Sequence, residues 1–502
     1  MNLSDLRLSA VVFSLWIWLA SCSLIEGTDK IIAPEWSPEV ALPLVNTHIS
    51  IEDALGLVDT EDYLLISPEG DLSLIYENGL TRITASDLAL ISIPNIPVMM
   101  PDSQVVIPFP VAQLNMIHLK SGVLRFDYQT AQTGSYAIHL ALPQALNGGV
   151  PFSATFPVDV TGKGSVSYDL KGYSLAPAAG ELTFSATIED LSTGIRSALD
   201  DAQFLFKNLD YAYVEGQIPT YAYSSEKDSI HSNLLKGMTL KGLRLTNPSA
   251  KFIFDNSFGI PIEITALASF RGNDGHTVLP LGHDGLAGGV NLAYPALHEV
   301  GAFQRTEITL NQSNSNLADI VSVLPEYFAY QLGIVSNPNG NATSGFITDS
   351  SALSVSISAE VPLEGELEGL VLEETVEAEL PDMDKIGAAG FKLIVENALP
   401  LEAAAQIYFL NEYDQVLDSL FEAYAEILPS PSTDVNGSVT NAGTQTFLLS
   451  FDEQRLAGLS STQKIRISAT ISTAGGGQAP VKFRLSDAIG IKLGVITQIK
   501  PQ

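Results

Sequence analysis

The sequence predicts an all-β protein built from tandem β-sandwich-like domains with a few short helices. Three observations support this prediction: short runs that alternate apolar and polar residues, Gly, Pro, Asn and Asp residues between those runs, and a strand–turn–strand pattern that occurs twice. Hydrophobic residues make up 46% of the 502 residues and charged residues 16%, which is typical of a folded chain. A chain of this length exceeds one hydrophobic core, so we expect several domains.

The first 21 residues are typical of an export signal. Arg7 precedes an uncharged apolar stretch at 8–19, and two small residues then precede Cys22, the single cysteine. This ending resembles the lipobox of bacterial lipoproteins. The resemblance implies cleavage before Cys22, diacylglycerol on its sulfur and acylation of the new amino terminus. An uncleaved membrane-spanning helix and an ordinary secretory signal remain the two alternatives.

Lipid on Cys22 would make the membrane a partner and place the protein in the cell envelope. We expect the outer membrane, on its periplasmic or surface face. A single cysteine excludes intramolecular disulfides. The formal net charge of −32, from 57 acidic and 25 basic residues, argues against nucleic acid as a partner, because phosphate binding needs clustered Lys and Arg.

The chain divides into five expected segments. These are a signal peptide at 1–21, an N-terminal tether and small β-rich region at 22–113, and three β-sandwich-like repeats at 114–235, 236–360 and 361–502. Turn residues at 67–71 predict a hairpin of strands within 63–76. The candidates for helices are 190–209, 317–332 with Pro325 inside it, and 417–428.

The repeated pattern consists of a strand, an acidic residue, an Asn, an apolar turn that ends in Pro, and a second strand. Asn256 and Pro261 hold these positions in one copy, and Asn397 and Pro400 in the other. We expect a structural turn, because Asn tolerates a left-handed backbone and bonds neighbouring amides, while Pro presets entry into the next strand. Contact of the two asparagines with a ligand is the alternative. Segments 306–324 and 445–459 also correspond, and a fainter third copy lies at 122–188.

One of the two copies carries a family resemblance. Asn247-Pro248 opens a strand there, and Asn256 and Pro261 follow it. This arrangement is similar to the late-embryogenesis-abundant type 2 (water-stress) β-sandwich family, in which an Asn-Pro opens a strand and a second Asn precedes an apolar turn with Pro. The copy at 391–410 lacks the opening Asn-Pro. The resemblance implies a fold and no particular function.

The best candidate for a metal site lies in and just after a Gly-rich stretch at 271–289. Imidazoles and carboxylates in a loop could bind zinc or another divalent ion. The spacing, however, matches no ligand motif, and glycine gives no rigid platform, so we expect no metal and no cofactor. The candidate ligands are Asp274, His276, His283, Asp284 and His298.

Catalytic motifs are absent from the sequence: it contains no Gly-x-Ser-x-Gly elbow, no His-Glu-x-x-His and no phosphate-binding glycine loop. Carboxylate pairs such as Glu366 with Glu368 and Glu373 with Glu374 are expected by chance in an acidic chain. Aromatic residues in alternating strands favour a core role over sugar stacking. Those considered are Trp36, Tyr211, Tyr213, Tyr221, Tyr223, Tyr327 and Tyr330. We therefore expect no enzyme.

The leading hypothesis is a non-catalytic, lipid-anchored cell-envelope protein that serves adhesion, scaffolding or the binding of an envelope protein or glycan. A carrier of lipid or another apolar ligand is the main alternative, because the apolar segments 88–98 and 398–410 could line a groove as well as a core. An envelope hydrolase is the third hypothesis. A continuous apolar groove in the structure would favour the carrier, and a polar cleft with converging carboxylates would favour the hydrolase.

Overall fold

The computed structural model describes residues 39–52, 64–88, 93–109, 114–199, 201–231, 242–272, 275–323, 325–340, 344–377 and 386–499. Its strands form antiparallel sheets, which confirms the predicted all-β class. Helices in these residues are a turn or two long, at Ala85–Leu88, Asp284–Gly288, Leu317–Ser322 and Glu453–Leu459, with a 3-10 turn at Leu297–Glu299. The sheets form three units, which we name C-terminal, middle and inserted.

The C-terminal unit is a sandwich of two sheets. The first sheet contains, in order, Glu39–Ser50, Ala488–Ile499, Ile386–Asn397 and Gly443–Phe451. The second contains Leu370–Glu377, Lys464–Thr473, Leu401–Leu410 and Val416–Ser419, with Ala425–Leu428 also paired to Leu401–Leu410, and a small ribbon joins Ser432–Thr433 to Val439–Asn441. Side chains of both sheets, such as Phe451 and Phe409, pack in one core with Leu456 and Leu459 of the helix.

The middle unit is also a sandwich. Its first sheet runs Leu64–Ile66, Leu72–Thr84, Ala352–Pro362, Ser249–Asn256 and Gln304–Leu310. Its second runs Ala222–Ser224, Pro325–Ser336, Ile262–Gly272 and Val278–Pro280, with Asp228–His231 and Val290–Leu292 on the two central strands. Phe252 of the first sheet meets Phe328 of the second with ring centroids 6.2 Å apart. The two sheets therefore share one core.

The inserted unit is a larger, branched sheet that closes around buried aromatic residues. Its strands are Ile96–Met99, Gln104–Pro108, Leu114–Gln129, Tyr136–Asn147, Val150–Pro157, Lys163–Asp169, Ser174–Leu175, Glu181–Asp190, Arg196–Ser197 and Asp201–Gln217, joined by Ser344–Thr348 from later in the chain. Phe184 and Phe204 are fully buried with ring centroids 4.2 Å apart. The fainter third copy at 122–188 does not repeat the pairing of the other two, because Leu114–Gln129 and Tyr136–Asn147 are separated by Ser174–Leu175.

The middle and C-terminal units have the same strand order. Leu72–Thr84, Ala352–Pro362, Ser249–Asn256 and Gln304–Leu310 correspond to Glu39–Ser50, Ala488–Ile499, Ile386–Asn397 and Gly443–Phe451. In the second sheets, the central pair Ile262–Gly272 and Pro325–Ser336 corresponds to Leu401–Leu410 and Lys464–Thr473. A short helix precedes the second strand of each central pair. The two repeated sequence elements thus occupy equivalent places in two different sandwiches.

The strands described between 39 and 84 do not form the separate small region that we expected within 22–113, and residues 22–38 of the expected tether lie outside the described residues. Glu39–Ser50 pairs with Ala488–Ile499, and Leu72–Thr84 pairs with Ala352–Pro362, so each completes a later unit. Pro43, which suggested an extended linker, is accommodated where the register shifts between Pro43 and Val45. The expected hairpin is present, with Leu64–Ile66 paired to Leu72–Thr84. The strands of the middle unit and of the C-terminal unit consequently lie on both sides of the inserted unit in sequence.

Two of the helix predictions were wrong and a third held for one short stretch. Segment 190–209 contains a turn and then the strand Asp201–Gln217, because burial alternates there with the period of two that a strand requires. Segment 417–428 forms the strands Val416–Ser419 and Ala425–Leu428. In 317–332 the helix ends at Ser322, and Pro325 begins a strand, as expected of a residue that disfavours a continuing helix.

Candidate functional site

Cys22, the proposed lipid attachment residue, lies outside the described residues, and so do Trp36 and Asp274. In the described part of the chain, no helix is long and apolar enough to span a bilayer. The structure therefore bears on the other site candidates and on how the three units are joined.

Asn256 and Asn397 each end a strand of one sheet just before the chain crosses to the other sheet. Both side chains are fully buried. The oxygen of Asn256 accepts the Phe258 amide at 3.0 Å, and that of Asn397 accepts the Leu399 amide at 3.0 Å. The same local bond thus shapes both crossings, as in an Asx turn.

The side-chain nitrogens of these two asparagines bind the chain that passes beside each crossing. Asn256 Nδ2 donates to Ala293 O at 2.9 Å, and Asn397 Nδ2 donates to Pro429 O at 2.9 Å and to Leu401 O at 2.6 Å. With every polar atom directed inward to the backbone, the side chains are engaged structurally and are not available to a ligand.

Pro261 and Pro400 also occupy equivalent positions. The Pro261 carbonyl accepts the Asn337 amide at 2.9 Å, and the Pro400 carbonyl accepts the Ala474 amide at 3.1 Å. In both units the donor lies in the turn that follows the second strand of the central pair. The repeat is therefore preserved in hydrogen bonds as well as in strand order.

The histidines of the Gly-rich stretch are not gathered around a common point. His283 caps the helix Asp284–Gly288, where its Nδ1 accepts the Leu286 amide at 3.1 Å. His298 lies in the 3-10 turn Leu297–Glu299. Among the residues that the structure describes, no three His, Cys, Asp or Glu side chains form a group able to hold a metal ion. The absence of a bound metal stays a prediction, to be tested by elemental analysis.

Sequence reasoning missed a chain of polar side chains across three strands of the inserted unit. His139 Nδ1 lies 2.9 Å from Thr155 Oγ1, and His139 Nε2 lies 2.8 Å from Glu189 Oε2. Arg196 Nε donates to the same Glu189 oxygen at 2.7 Å, and this bond holds the pKa of the Glu189 carboxyl below its ordinary value, with His139 contributing less.

The order hydroxyl, imidazole, carboxylate is that of hydrolase triads. Here, however, Arg196 occupies the carboxylate oxygen that would orient the imidazole, and the group lies on an outward sheet face beside solvent. We interpret it as a cross-strand chain that stabilises the sheet. His139 and Thr155 lie opposite each other in the hairpin of Tyr136–Asn147 and Val150–Pro157. Counting residues back from its turn does not predict this pair, because the register shifts between Leu142 and Leu146.

One carboxylate of each candidate pair and two of the candidate aromatic residues have structural partners. Glu366 lies 3.6 Å from Arg244, and Glu373 lies 3.5 Å from Arg466. Tyr327 is covered by the Arg271 guanidinium, 3.8 Å from the ring centroid, and by the His231 ring. Tyr330 is buried, with its hydroxyl 2.6 Å from Leu80 O and 3.0 Å from Asp228 Oδ2. Tyr327 and Tyr330 are thus engaged in packing, whereas Tyr221 is exposed.

The two apolar segments proposed to line a groove contribute to cores instead. In 88–98, Leu88 is buried and Ile96 and Val98 pack against the core, while 89–92 lie outside the described residues. In Leu401–Leu410 the side chains of Ala403, Ala405, Phe409 and Leu410 are buried, and Phe409 packs in the core between the two sheets. A cavity of about 150 Å³ lies beside the helix Leu317–Ser322, but charged and polar side chains line much of it. Its lining residues are Arg244, Leu245, Thr246, Gln312, Ala318, Asp319, Ser322 and Glu366. A cavity of this kind does not suit an apolar ligand.

A junction of backbone pairing and ion pairs joins the C-terminal unit to the middle unit. The strand Glu364–Leu367 pairs with both Leu243–Leu245 and Val481–Lys482. Leu485 N donates to Gly70 O at 2.9 Å, and Arg484 Nε donates to Asp71 Oδ1 at 2.9 Å. We name this contact the lower junction.

A second junction joins the middle unit to the inserted unit. The strand Ser344–Thr348 leaves the middle unit and pairs with the end of Asp201–Gln217. Gly259 and Phe346 exchange backbone hydrogen bonds of 3.0 and 3.2 Å, and a Cβ on Gly259 would lie 2.2 Å from the Phe346 ring. We name this contact the upper junction. At each junction a short strand reaches into the neighbouring unit. Ser344–Thr348 does so just before Ala352–Pro362 of the middle unit, and Val481–Lys482 just before Ala488–Ile499 of the C-terminal unit.

No protein-family model matches the chain, and no curated protein matches it. Among solved structures, it is similar to a protein from Parabacteroides distasonis provisionally described as secreted, with 14% identity and a TM-score of 0.32 over 56% of this chain and 89% of that one. It is also similar to the infectious bursal disease virus VP2 subviral particle, with 11% identity and a TM-score of 0.14 over 89% and 83%. For the PBSX exported protein XepA, the values are 12% and 0.12 over 55% and 81%. Similarities this low carry no argument about function.

Proposed function

We propose that this protein is a non-catalytic, lipid-anchored envelope protein that serves adhesion, scaffolding or the binding of an envelope protein or glycan. The observation that carries the proposal is the position of Cys22, the single cysteine, directly after a short apolar export-type segment. Several acyl chains on one terminus hold a protein firmly to a bilayer, whereas one chain alone is marginal.

The architecture supports a mechanical role over a chemical one. Two sandwiches of the same strand order follow each other, and both junctions combine backbone pairing with side-chain contacts. Paired backbone at a junction restrains relative movement of the units, because bending would break hydrogen bonds that water would have to replace. Such a body suits the presentation of a surface at a distance from an anchor.

Metabolic labelling with palmitate tests the anchor. The wild-type protein should incorporate label and float with membranes, and Cys22→Ala should do neither. Ser23→Ala is the matched control, because it changes a neighbouring small residue and keeps the thiol. Equal labelling of wild type and Cys22→Ala would refute the proposal. Extraction of the purified protein with organic solvent, followed by mass spectrometry, tests the carrier alternative, which a stoichiometric bound lipid would revive.

A further inference from the structure

The order of the units along the molecule follows from where the strands begin and end. In the C-terminal unit, Ala488–Ile499 begins at the lower junction and ends opposite Glu39. In the middle unit, Ala352–Pro362 runs from the upper junction to the lower one. In the inserted unit, Asp201–Gln217 ends at the upper junction, where Ser344–Thr348 pairs with it. The three units are therefore joined end to end along their strands.

Glu39 lies at the end of the C-terminal unit that is remote from the lower junction. The hairpin loop at 411–415 lies at this same end, because Leu401–Leu410 begins beside the junction and ends there. We call this end the base. At the opposite extreme, the turns at 130–135, 158–162 and 191–195 lie at the end of the inserted unit remote from the upper junction, and we call it the tip.

The tip has three turns that are bonded to one another. Val158 N donates to Tyr136 O at 3.0 Å, Leu191 N to Ser135 O at 2.9 Å and Thr130 N to Gly162 O at 2.8 Å. Asp159 and Asp190 each bind the amide and hydroxyl of the residue two positions on, and these bonds lower the pKa of both carboxyls. The turns therefore hold a fixed shape and expose Val160, Leu191 and Ile195.

We propose that the base faces the bilayer and that the tip is the part of the protein farthest from it. The inference rests on the proposed anchor at Cys22. Seventeen residue steps separate Cys22 from Glu39, so the two residues can lie at most about 60 Å apart. The strands that link base to tip have 12, 11 and 17 residues, together about 130 Å end to end.

Charge opposes the alternative in which the molecule lies along the membrane. The formal net charge is −32, and an anionic lipid surface repels acidic side chains within a Debye length of about 8 Å. A molecule held at one end and repelled along its sides extends away from the surface.

Because Cys22 is the only cysteine and its thiol would be acylated, an introduced cysteine gives one labelling position. We would place a fluorescent donor at Tyr413→Cys in the base, Leu267→Cys in the middle unit and Val160→Cys at the tip, all of which replace exposed side chains. The acylated full-length variants are reconstituted in phosphatidylcholine–phosphatidylglycerol vesicles that carry head-group acceptors. Flotation measures anchorage, and energy transfer measures the distance of each label from the lipid.

Transfer should be strong from Tyr413→Cys, weaker from Leu267→Cys and several-fold lower again from Val160→Cys. The same labels in a Cys22→Ala background should show no transfer. Equal transfer from the three positions in floating protein would show that the molecule lies flat, and a reversed order would show that the tip faces the lipid. Either result overturns the orientation and leaves the anchor intact, whereas failure to float refutes the anchor itself.

Discussion

Replacement of Asn397 should destabilise the C-terminal unit more than any nearby surface substitution. The side chain is fully buried, and it makes three hydrogen bonds, to the Leu399 amide and to the carbonyls of Leu401 and Pro429. Asn397→Ala removes all three and leaves a small cavity. At about 1–1.5 kcal/mol for each lost bond, we expect a loss of about 3–4 kcal/mol in the free energy of unfolding. Asn256→Ala, which removes two such bonds, should cost about 1 kcal/mol less.

Hydrogen exchange read by mass spectrometry resolves the units, which a single melting curve of a multidomain protein does not. Asn397→Ala should accelerate exchange in peptides from 386–410 and leave the inserted unit unchanged. Asn256→Ala should do the same for peptides from 249–272, so each variant is the control for the other. Uniform acceleration across the chain, or a loss below about 1 kcal/mol in both variants, would refute the equivalence of the two crossings.

Asn397→Asp tests the direction in which stability at this site changes with pH. Its second oxygen would replace Nδ2 and face two carbonyl oxygens, so the folded state would favour the protonated acid and raise the pKa of this carboxyl above its unfolded value. The protonated variant keeps its stability at pH values below the pKa of this carboxyl in the unfolded state. It loses that stability as the pH rises through the higher pKa of the folded state. The variant should therefore approach wild type at acid pH and lose stability towards pH 7. A loss that does not change with pH would contradict this reading of the site.

Three further predictions concern other contacts. Tyr330→Phe should cost about 1–2 kcal/mol in the free energy of unfolding. Burial raises the pKa of Tyr330 to about 12, with Asp228 adding to the effect, so absorbance titration of the variant should show one late-ionising tyrosine fewer than the wild type, and the contribution of Tyr330 to stability should fall as the pH rises from about 10 to about 12. Gly259→Ala should cost about 1–3 kcal/mol at the upper junction, whereas Gly79→Ala, where no atom lies within 4 Å of the added Cβ, should be close to neutral in thermal unfolding. Elemental analysis should find no stoichiometric zinc or manganese, and a metal that survives dialysis but is lost in a His276→Ala, His283→Ala variant would restore the metal hypothesis.

Local sequence features predicted the strands and turns well. The alternation of apolar and polar residues predicted the all-β class, and turn residues predicted the hairpin of Leu64–Ile66 with Leu72–Thr84. The helix expected at 190–209 was wrong because intrinsic preference is a weak guide when packing fixes a period of two, as it does in Asp201–Gln217.

Strand partners could not be predicted in the same way. Glu39 lies opposite Gln498, and Tyr76 lies opposite Ala359, separations that no local pattern encodes. The chain of His139, Thr155 and Glu189 was missed for a related reason, because it depends on the neighbours of one strand on both of its sides. Sequence periodicity specifies which face of a strand is buried, but the choice of neighbouring strand is made by the tertiary fold.

The strands of the middle and C-terminal units lie on both sides of the inserted unit in sequence, and this affects the order in which the units can fold. The inserted unit takes nearly all of its strands from 96–217, so most of its contacts are available early in synthesis. The C-terminal unit needs both Glu39–Ser50 and Ala488–Ile499, which makes it the unit with the longest loop to close. The strand Glu39–Ser50, at the edge of its sheet, must therefore remain unpaired until Ala488–Ile499 has been synthesised. The part of the protein that we place next to the bilayer is thus the last to form, and its unpaired edge would until then be the most exposed to wrong pairing.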